Sequence, residues 1–593
     1  MKRMCAVFLL VLMIASAPLF SQGFMDERAK EWAEKAYEQR DGAGSLAYLC
    51  SLYDLWGSAE YGSIQPGIEK IASSEDAHPM VAAKARSLLR FLLANQDRWK
   101  DAEAMAKREG FITDWMIIAP FGNEDKGGFD AVYAPEEKLD LSASARGIDR
   151  DVSWRRIPPC NYNGIAFLGN YVDPSSNATA YLASFIHSET ERDAVIRCSF
   201  AGAHKIWLNR DLVASNPDYS PSAFDQFSYA IRLARGWNVI LVKSCHAFSP
   251  WVARARLTDA SGAPLRGFVS TSDPGRLAEG LKAVLRRPGL PSKGFRFFDP
   301  AEELEKAAAS GGWEDSFRLG LYLYGVRSFD EKEHPDVDAM KSALGKEGAP
   351  LWINHFIGEA ETDPNRKREA YEKSAEAFPS PESFLRLYYY YNRRGMTLPA
   401  VRYLDRALAL RPEDPYLKAQ KYAVLSGSLA DGMAMREAEK LRERHQSNIP
   451  VLQTLIWMKD AAKDFAGREK LFRELLKMDY TEETAEGLFN LFAAQGRSSE
   501  AAALYGDYLS KIPYSRSVIY KLSSYLLDMG RPEEAEKTIG PFFEFAPDWP
   551  AGRELFGEIL IARGETGKAL EQFEKALLLN PQNDNLKRRL AFL

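Results

Sequence analysis

Along this 593-residue chain the spacing of apolar residues changes twice. Between 24 and 108 they recur at steps of three and four, in DERAKEWAEKAYEQ, SLAYLCSLYDLWG and PMVAAKARSLLRFLLANQ, which predicts helices. Between 111 and 268 the step falls to two. Short runs such as ATAYLASFIHS, DAVIRCSFAG, HKIWLNRDLVAS, WNVILVKSCHAF and WVARARLTDASG are punctuated by Gly, Pro, Asn and Asp. Runs of this kind predict a β-sandwich. From about 277 the helical spacing returns and lasts to residue 593. The predicted class is multidomain α and β, with a sandwich inserted between two helical segments.

The last helical segment repeats itself. Gly496, Gly530 and Gly564 stand 34 residues apart, as do Ala501, Ala535 and Ala569, and Pro513, Pro547 and Pro581. Leu488, Leu522 and Phe556 keep the same step. The glycine ends a first helix where positive φ is needed. The alanine lets a second helix pack closely, and the proline stops it. Upstream, LRLYYYYNRRGMTLPAVRYLDRALALRPEDP carries Gly395, Ala400, Leu404, Ala407 and Pro412 in the same frame, and Ala434 continues it. Between 440 and 480 the frame slips by one residue, and 313–379 holds one or two degenerate units. Six to eight hairpins are expected from about 277 to 593, and the helices of 24–108 read as two more without that consensus.

The 34-residue pattern resembles the tetratricopeptide repeat (TPR) family. That resemblance implies an α-solenoid, a TPR superhelix whose groove takes a protein or peptide partner. The frame then places Tyr389, Asn392, Arg393, Asn490, Tyr520, Ser524, Glu554 and Glu558 on the groove.

In the middle segment, KIWLNRDLVASN followed by LARGWNVILVKS resembles the sugar-binding-type, galactose-binding-like jelly roll. ITDWMIIAPFGNEDKGGFDAVYAPE at 112–136 adds to the likeness. Asn209 is followed by Arg210 where that family has glycine, so Arg210 or Asp211 tolerates an unusual turn or the turn differs in type. The resemblance makes carbohydrate a second expected ligand. Trp207 and Trp237 are expected to fill the sandwich. Trp251 after AFSP, and Tyr219 and Phe224 in NPDYSPSAFDQF, are placed on loops as the candidate sugar contacts. The order of parts is similar to exported bacterial proteins that continue into a transglutaminase-like domain, which has no counterpart here. The alternative reading is therefore the binding half of a cell-envelope enzyme, transglutaminase-like or glycan-active. Its catalysis would lie beyond residue 593 or on a partner chain.

Charge and chemistry narrow this further. Lys2 and Arg3 precede an apolar run from Cys5 to Ile14 and then Ala15-Ser16-Ala17, the form of a signal peptide cleaved near Ser21. The expected segments are a leader at 1–21, helices at 22–110, the sandwich at 111–268 and repeats at 277–593. The destination is periplasmic or extracellular, with no integral membrane segment after cleavage. Removing Lys2 and Arg3 leaves 75 basic (77 − 2) against 82 acidic residues, and no basic-aromatic tract points to nucleic acid. Cys50, Cys160, Cys198 and Cys245 form no CxxC motif; Cys198 with Cys245 is the candidate disulfide, with buried free thiols the equal alternative. There is no HExxH or GxSxG, and GETGKA at 564–569 falls in a repeat turn with no strand before it. His187, His204 and His246 share the β segment with three of the cysteines, but strand positions make them core or surface residues first. No metal or cofactor is expected. The chain reads as an exported, non-catalytic binding or scaffold protein.

Overall fold

The computed structural model describes residues 23–55, 59–248, 250–277, 279–326, 334–426 and 431–591. The expected leader lies outside the described residues. The chain divides into two compact units. One holds the described residues up to Ala102 with Ser261–Ala263 and Phe298–Tyr480; the other holds Glu103–Ala260, Pro264–Phe297 and the remainder from Thr481.

In the first unit, successive helices pack as hairpins. They are Trp313–Val326 with Pro335–Leu344, Ile353–Ala360 with Pro364–Ala377, Pro381–Asn392 with Thr397–Leu410, Pro415–Leu425 with Asp431–Arg444, and Ile449–Ala461 with Phe465–Met478. In the second unit Glu482–Ala494 pairs with Ser498–Lys511, Arg516–Asp528 with Pro532–Ile539, and Pro550–Ala562 with Thr566–Leu579; Asp584–Leu590 follows. The starts are written locally. Asp363, Ser380 and Asp414 cap helices whose first residue is proline, a position with no amide donor to satisfy.

The turn inside each hairpin is equally local. Gly395, Gly496, Gly530 and Gly564 have φ between 68° and 77°. The residue after each glycine donates its N–H back into the first helix: Met396 to Tyr391, Arg497 to Phe492, Arg531 to Leu526 and Glu565 to Leu560, at 2.9–3.0 Å. Lys463 takes the same place at φ 56°, and Asp464 donates to the Lys459 carbonyl at 2.9 Å. Lys463 precedes Gly496 by 33 residues instead of 34, which locates the one-residue slip. Asp97, at φ 60°, does the same between helices Pro79–Asn95 and Trp99–Ala106, with Arg98 donating to Leu93 at 2.8 Å. The N-terminal segment therefore contains a turn of the same make without the glycine.

Helices Phe24–Glu38, Gly44–Asp54, Tyr61–Ala72 and Pro79–Asn95 pack on the repeats of their own unit. They do so at the loops that join one hairpin to the next. The Phe24 amide donates to the Asp414 carboxylate at 3.1 Å, and Arg411 pairs with Glu27 at 2.5 Å. The Tyr61 hydroxyl donates to Asp479 at 2.8 Å, and the Tyr480 amide to the Asn95 carbonyl at 2.7 Å. Trp32, Ala29, Ala33 and Ala36 are buried along one side of the first helix. Asp26 is fully buried and accepts the amides of Gly23 at 3.2 Å and Glu60 at 2.8 Å.

The β segment belongs to the second unit. Strands β1 (Met116–Gly122), β2 (Ser144–Arg146), β3 (Asp151–Ser153), β4 (Arg155–Arg156), β5 (Ala178–Ser188), β6 (Arg192–Phe200), β7 (Ala203–Leu208), β8 (Asp211–Asn216), β9 (Phe227–Leu233), β10 (Gly236–His246), β11 (Ala253–Thr258) and β12 (Phe268–Thr271) are all paired antiparallel. The large sheet runs β4-β1-β5-β10-β7-β8 with β12 also on β5; the small one runs β11-β6-β9; β2 pairs β3. His204 on β7 meets Phe200, Phe227 and Tyr229 of the small sheet at 4.9–5.8 Å between ring centres. Even positions of β7 thus face the small sheet, so Trp207 faces away.

This corrects the expected role of the two tryptophans. Trp207 and Trp237 lie on adjacent strands, but they are only half-buried and pack on the outer layer of the large sheet. Phe185, Val239 and Leu241 of the sheet, with Leu277 and Val284 beyond it, form that layer. The turn puzzle also resolves. Asn209 itself takes positive φ (56°), so Arg210 needs none and no glycine is required there. The Asn209 carboxamide donates to Asn238 at 3.0 Å and accepts from the Val239 amide at 2.9 Å, tying the two quoted stretches together. Of the two readings of Cys198 and Cys245, a disulfide or free thiols, the second holds: all four described cysteines are free, and these two stand on strands of different sheets. The β segment rests on the repeats of its own unit, again at joining loops. Arg155 donates to the Phe545 carbonyl at 3.1 Å, Asn170 to the Tyr514 carbonyl at 3.2 Å, and Arg150 pairs with Asp548 at 3.3 Å.

Exchanges at the left-handed turn position have opposite signs. Gly530→Val lowers stability by about 1 kcal/mol or more, although nothing stands near its missing Cβ. Lys463→Gly raises it by about 0.5–1 kcal/mol. Thermal melts of both variants against the parent check this; two shifts of the same sign would refute the turn assignment.

Asp26 gives a pH signature. Burial, against the opposing hydrogen bonds from Ser63, Glu60 and Gly23, pushes its carboxyl up to about 7, and Glu60 nearby adds to the rise. Asp414 is raised the same way, to about 6. A carboxyl raised on folding contributes stability that is complete below its ordinary value of 3.8 and is lost as pH rises through about 7. Asp26→Asn removes that loss. The melting-temperature gap between variant and parent therefore grows in favour of the variant from pH 5 to pH 8; a constant gap counts against a buried acid there.

Candidate functional site

The first unit holds a partly open pocket of about 70 Å³. One wall is the chain's own N-terminal helix, through Met25, Arg28 and Trp32; facing it are Trp352, His355, Phe356 and Glu359, then Glu382 and Arg386. Trp32 stacks on Phe356 with ring centres 5.4 Å apart, and Trp352 and Phe317 meet Phe356 edge-on at 5.7 and 5.1 Å. This aromatic group holds the first helix against the repeats and forms the apolar side of the space.

The polar side is an ion-pair network. The Arg386 Nε donates to Glu359 at 2.5 Å, His355 Nε2 stands 3.6 Å from the same carboxylate, and Arg28 reaches Glu382 at 3.3 Å. His355 and Glu359 sit one turn apart on one helix, which brings both to the same face. Burial would raise the Glu359 carboxyl, but the charge of Arg386, helped by His355 and Lys367, outweighs it and holds the group at about 2. Burial pushes the His355 imidazole down to about 4 against the pull of Glu359, so it stays neutral at ordinary pH. None of these side chains was singled out from sequence. The i, i+4 spacing of His355 and Glu359 was the only local signal.

The residues placed on the groove from the repeat frame divide. Asn392 and Arg393 are exposed, and Tyr389 is half-buried with the Arg393 guanidinium 5.8 Å from its ring. In the second unit Asn490 and Tyr520 are exposed and Ser524 is partly so. Glu554 and Glu558 are not open for a partner. Asn583 donates to Glu554 at 2.9 Å and Arg589 pairs with Glu558, so the helix Asp584–Leu590 covers both. Trp457 was missed. It stands six residues before Lys463, as Tyr389, Asn490 and Ser524 stand six before their glycines, and it is 52% exposed. The slipped frame hid it.

The candidate sugar contacts are corrected by burial. Trp251 is 1% exposed, donates its Nε1–H to Ser244 at 2.9 Å and stacks on His246 at 5.1 Å. Tyr219 is 4% exposed and its hydroxyl donates to Asn123 at 2.9 Å. Phe224 is half-buried under the guanidinium groups of Arg254 and Arg256, at 4.9 and 5.4 Å. The loop that carries them folds inward because Asp225 is held by Arg256 in a buried ion pair. Among the described residues no group of His, Cys, Asp and Glu is placed to hold a metal, and no helix is long and apolar enough to cross a membrane.

Comparison with known proteins bears on the repeats alone. No known family profile matches the chain. Over 106 residues it is 32% identical to an Hsp70-Hsp90 organizing protein of Triticum aestivum, a stretch that makes up 17% of this chain and 18% of that one. In this chain glycine, alanine and proline recur at a 34-residue step. The helical part has repeat content of TPR-like form. Solved structures give similar matches. YrrB, a TPR protein with an unusual peptide-binding site, is 16% identical over 32% of this chain and 98% of its own, with a TM-score of 0.26. A tetratricopeptide repeat protein from Parabacteroides merdae is 15% identical over 49% and 97%, with a TM-score of 0.25. Pseudomonas aeruginosa pilF is 16% identical over 36% and 97%, with a TM-score of 0.27.

The burial of the tryptophans reverses their expected importance. Trp251→Ala removes a fully buried ring and leaves Ser244 without its donor, which costs about 3–5 kcal/mol. Trp207→Ala removes a half-buried ring and costs less. Denaturant unfolding of both variants checks the order; a larger loss at Trp207 would place that ring in the core after all.

Proposed function

We propose that this chain is an exported, non-catalytic scaffold that holds a protein or peptide partner on the first-helix faces of its repeats. The observation that carries the reading is Asn490 and Ser524, 34 residues apart on successive first helices, with Tyr520 one turn before Ser524; Asn490 and Tyr520 are exposed and Ser524 is partly so. Repeated helices offer such positions at a regular pitch, and an extended peptide or a helix matches them. Trp457 adds an exposed aromatic anchor at the same step in the other unit. Export rests on the charged and apolar residues at 2–14 followed by small residues near Ser21. With Trp251 and Tyr219 packed inside, the β segment serves in this reading as a brace on the joining loops of its own unit.

The reading is tested with the full chain and a displayed peptide library. Enriched peptides should lose binding roughly tenfold or more on Asn490→Ala with Tyr520→Ala, while the variant melts like the parent. Leu578→Ala, at a 71% exposed position on a second helix, should change nothing. Peptides that bind the double variant as well as the parent would overturn the proposal.

A further inference from the structure

We propose that the cavity in the first unit is a binding site for a short aliphatic carboxylate of about propionate size. This goes beyond partner binding at those positions of the repeats, and it stands on separate residues.

The first argument is size. The helix Phe24–Glu38 lies over the repeats with Trp32 stacked on Phe356 and Arg28 on Glu382, and its inward side chains are buried. What remains beside it is a partly open pocket of about 70 Å³, too small to seat a helix. It is about half of the roughly 150 Å³ that holds benzene in a protein core. A single water takes roughly 10–15 Å³ of such space, so the cavity holds on the order of five heavy atoms.

The second argument is charge. Arg386 spends its Nε on Glu359, and its two terminal amino groups meet no acceptor among the described residues. Those nitrogens are not sealed off by protein, and Arg386 lines the cavity. A guanidinium edge with two parallel N–H groups matches a planar carboxylate. The remaining charges cancel in pairs: Arg28 faces Glu382, Glu359 faces Arg386, and His355 is neutral. Glu359 takes one edge of the Arg386 guanidinium, so the remaining edge is the group left to meet one carboxylate. Trp32, Trp352 and Phe356 supply an apolar wall for a short alkyl chain.

Calorimetric titration of the full chain with propionate, propionamide and propylamine tests the assignment. Tryptophan emission is followed in parallel, since Trp32 and Trp352 line the space. Propionate should bind saturably with a Kd of about 0.01–1 mM, and the isosteric amide and the amine at least roughly tenfold more weakly. The charge-balanced variant Arg386→Met with Glu359→Gln should lose the preference for propionate over propionamide. If that variant does not fold, the ligand series on the unaltered chain still decides. Equal binding of acid and amide, or no saturable binding of propionate up to about 10 mM, would overturn the proposal.

Discussion

An unpaired helical hairpin leaves one apolar face in water, and the structure depends on how those faces are covered. Each hairpin covers part of the next. In the first unit the remaining surface is covered by the chain's own N-terminal helix, with Trp32 on Phe356 as the central contact. The aromatic stack fixes the helix sideways. The Phe24 amide on Asp414 and the pairing of Glu27 with Arg411 fix it lengthwise. Removing this helix would expose Phe356 and Trp352 and leave Glu382 without Arg28.

The same economy appears at the joining loops. Each repeat ends in a short segment with free carbonyls and begins the next with a capped helix. In the first unit those loops meet helices, through Asp414, Asp479 and Tyr480. In the second they meet the β segment, through Tyr514, Phe545 and Asp548. The first-helix faces of the second unit keep Asn490 and Tyr520 exposed, while Glu554 and Glu558 go to the terminal helix. A scaffold reading needs open positions of this kind on a rigid frame, and the loops are where the frame is braced.

What was legible in the sequence was what local chemistry dictates. The glycines at 395, 496, 530 and 564 announced turns because positive φ favours glycine, and all four have it. The reading failed where another residue bears the same conformation. Lys463 and Asp97 take it at some cost in strain, so the slip expected between 440 and 480 had no landmark residue to fix it and the N-terminal helices showed no repeat consensus. Asn209 shows the converse: its carboxamide bonds to Asn238 and Val239 stabilise a turn that composition alone left open. Trp251 could not be placed because its burial depends on Ser244 and His246 folding around it. The cavity was beyond reach for the same reason. Its residues come from positions 25 to 386, and no spacing rule joins Arg28 to Glu382.

The central claim is that the N-terminal helix is an integral wall of the first unit. Native-state hydrogen exchange on the full chain tests it most directly. If the helix is a wall, amides of Phe24–Glu38 are protected to the same free energy as those of Ile353–Ala360 and Pro381–Asn392, and all open together. Fast exchange in Phe24–Glu38 while those two repeat helices remain protected would contradict the account.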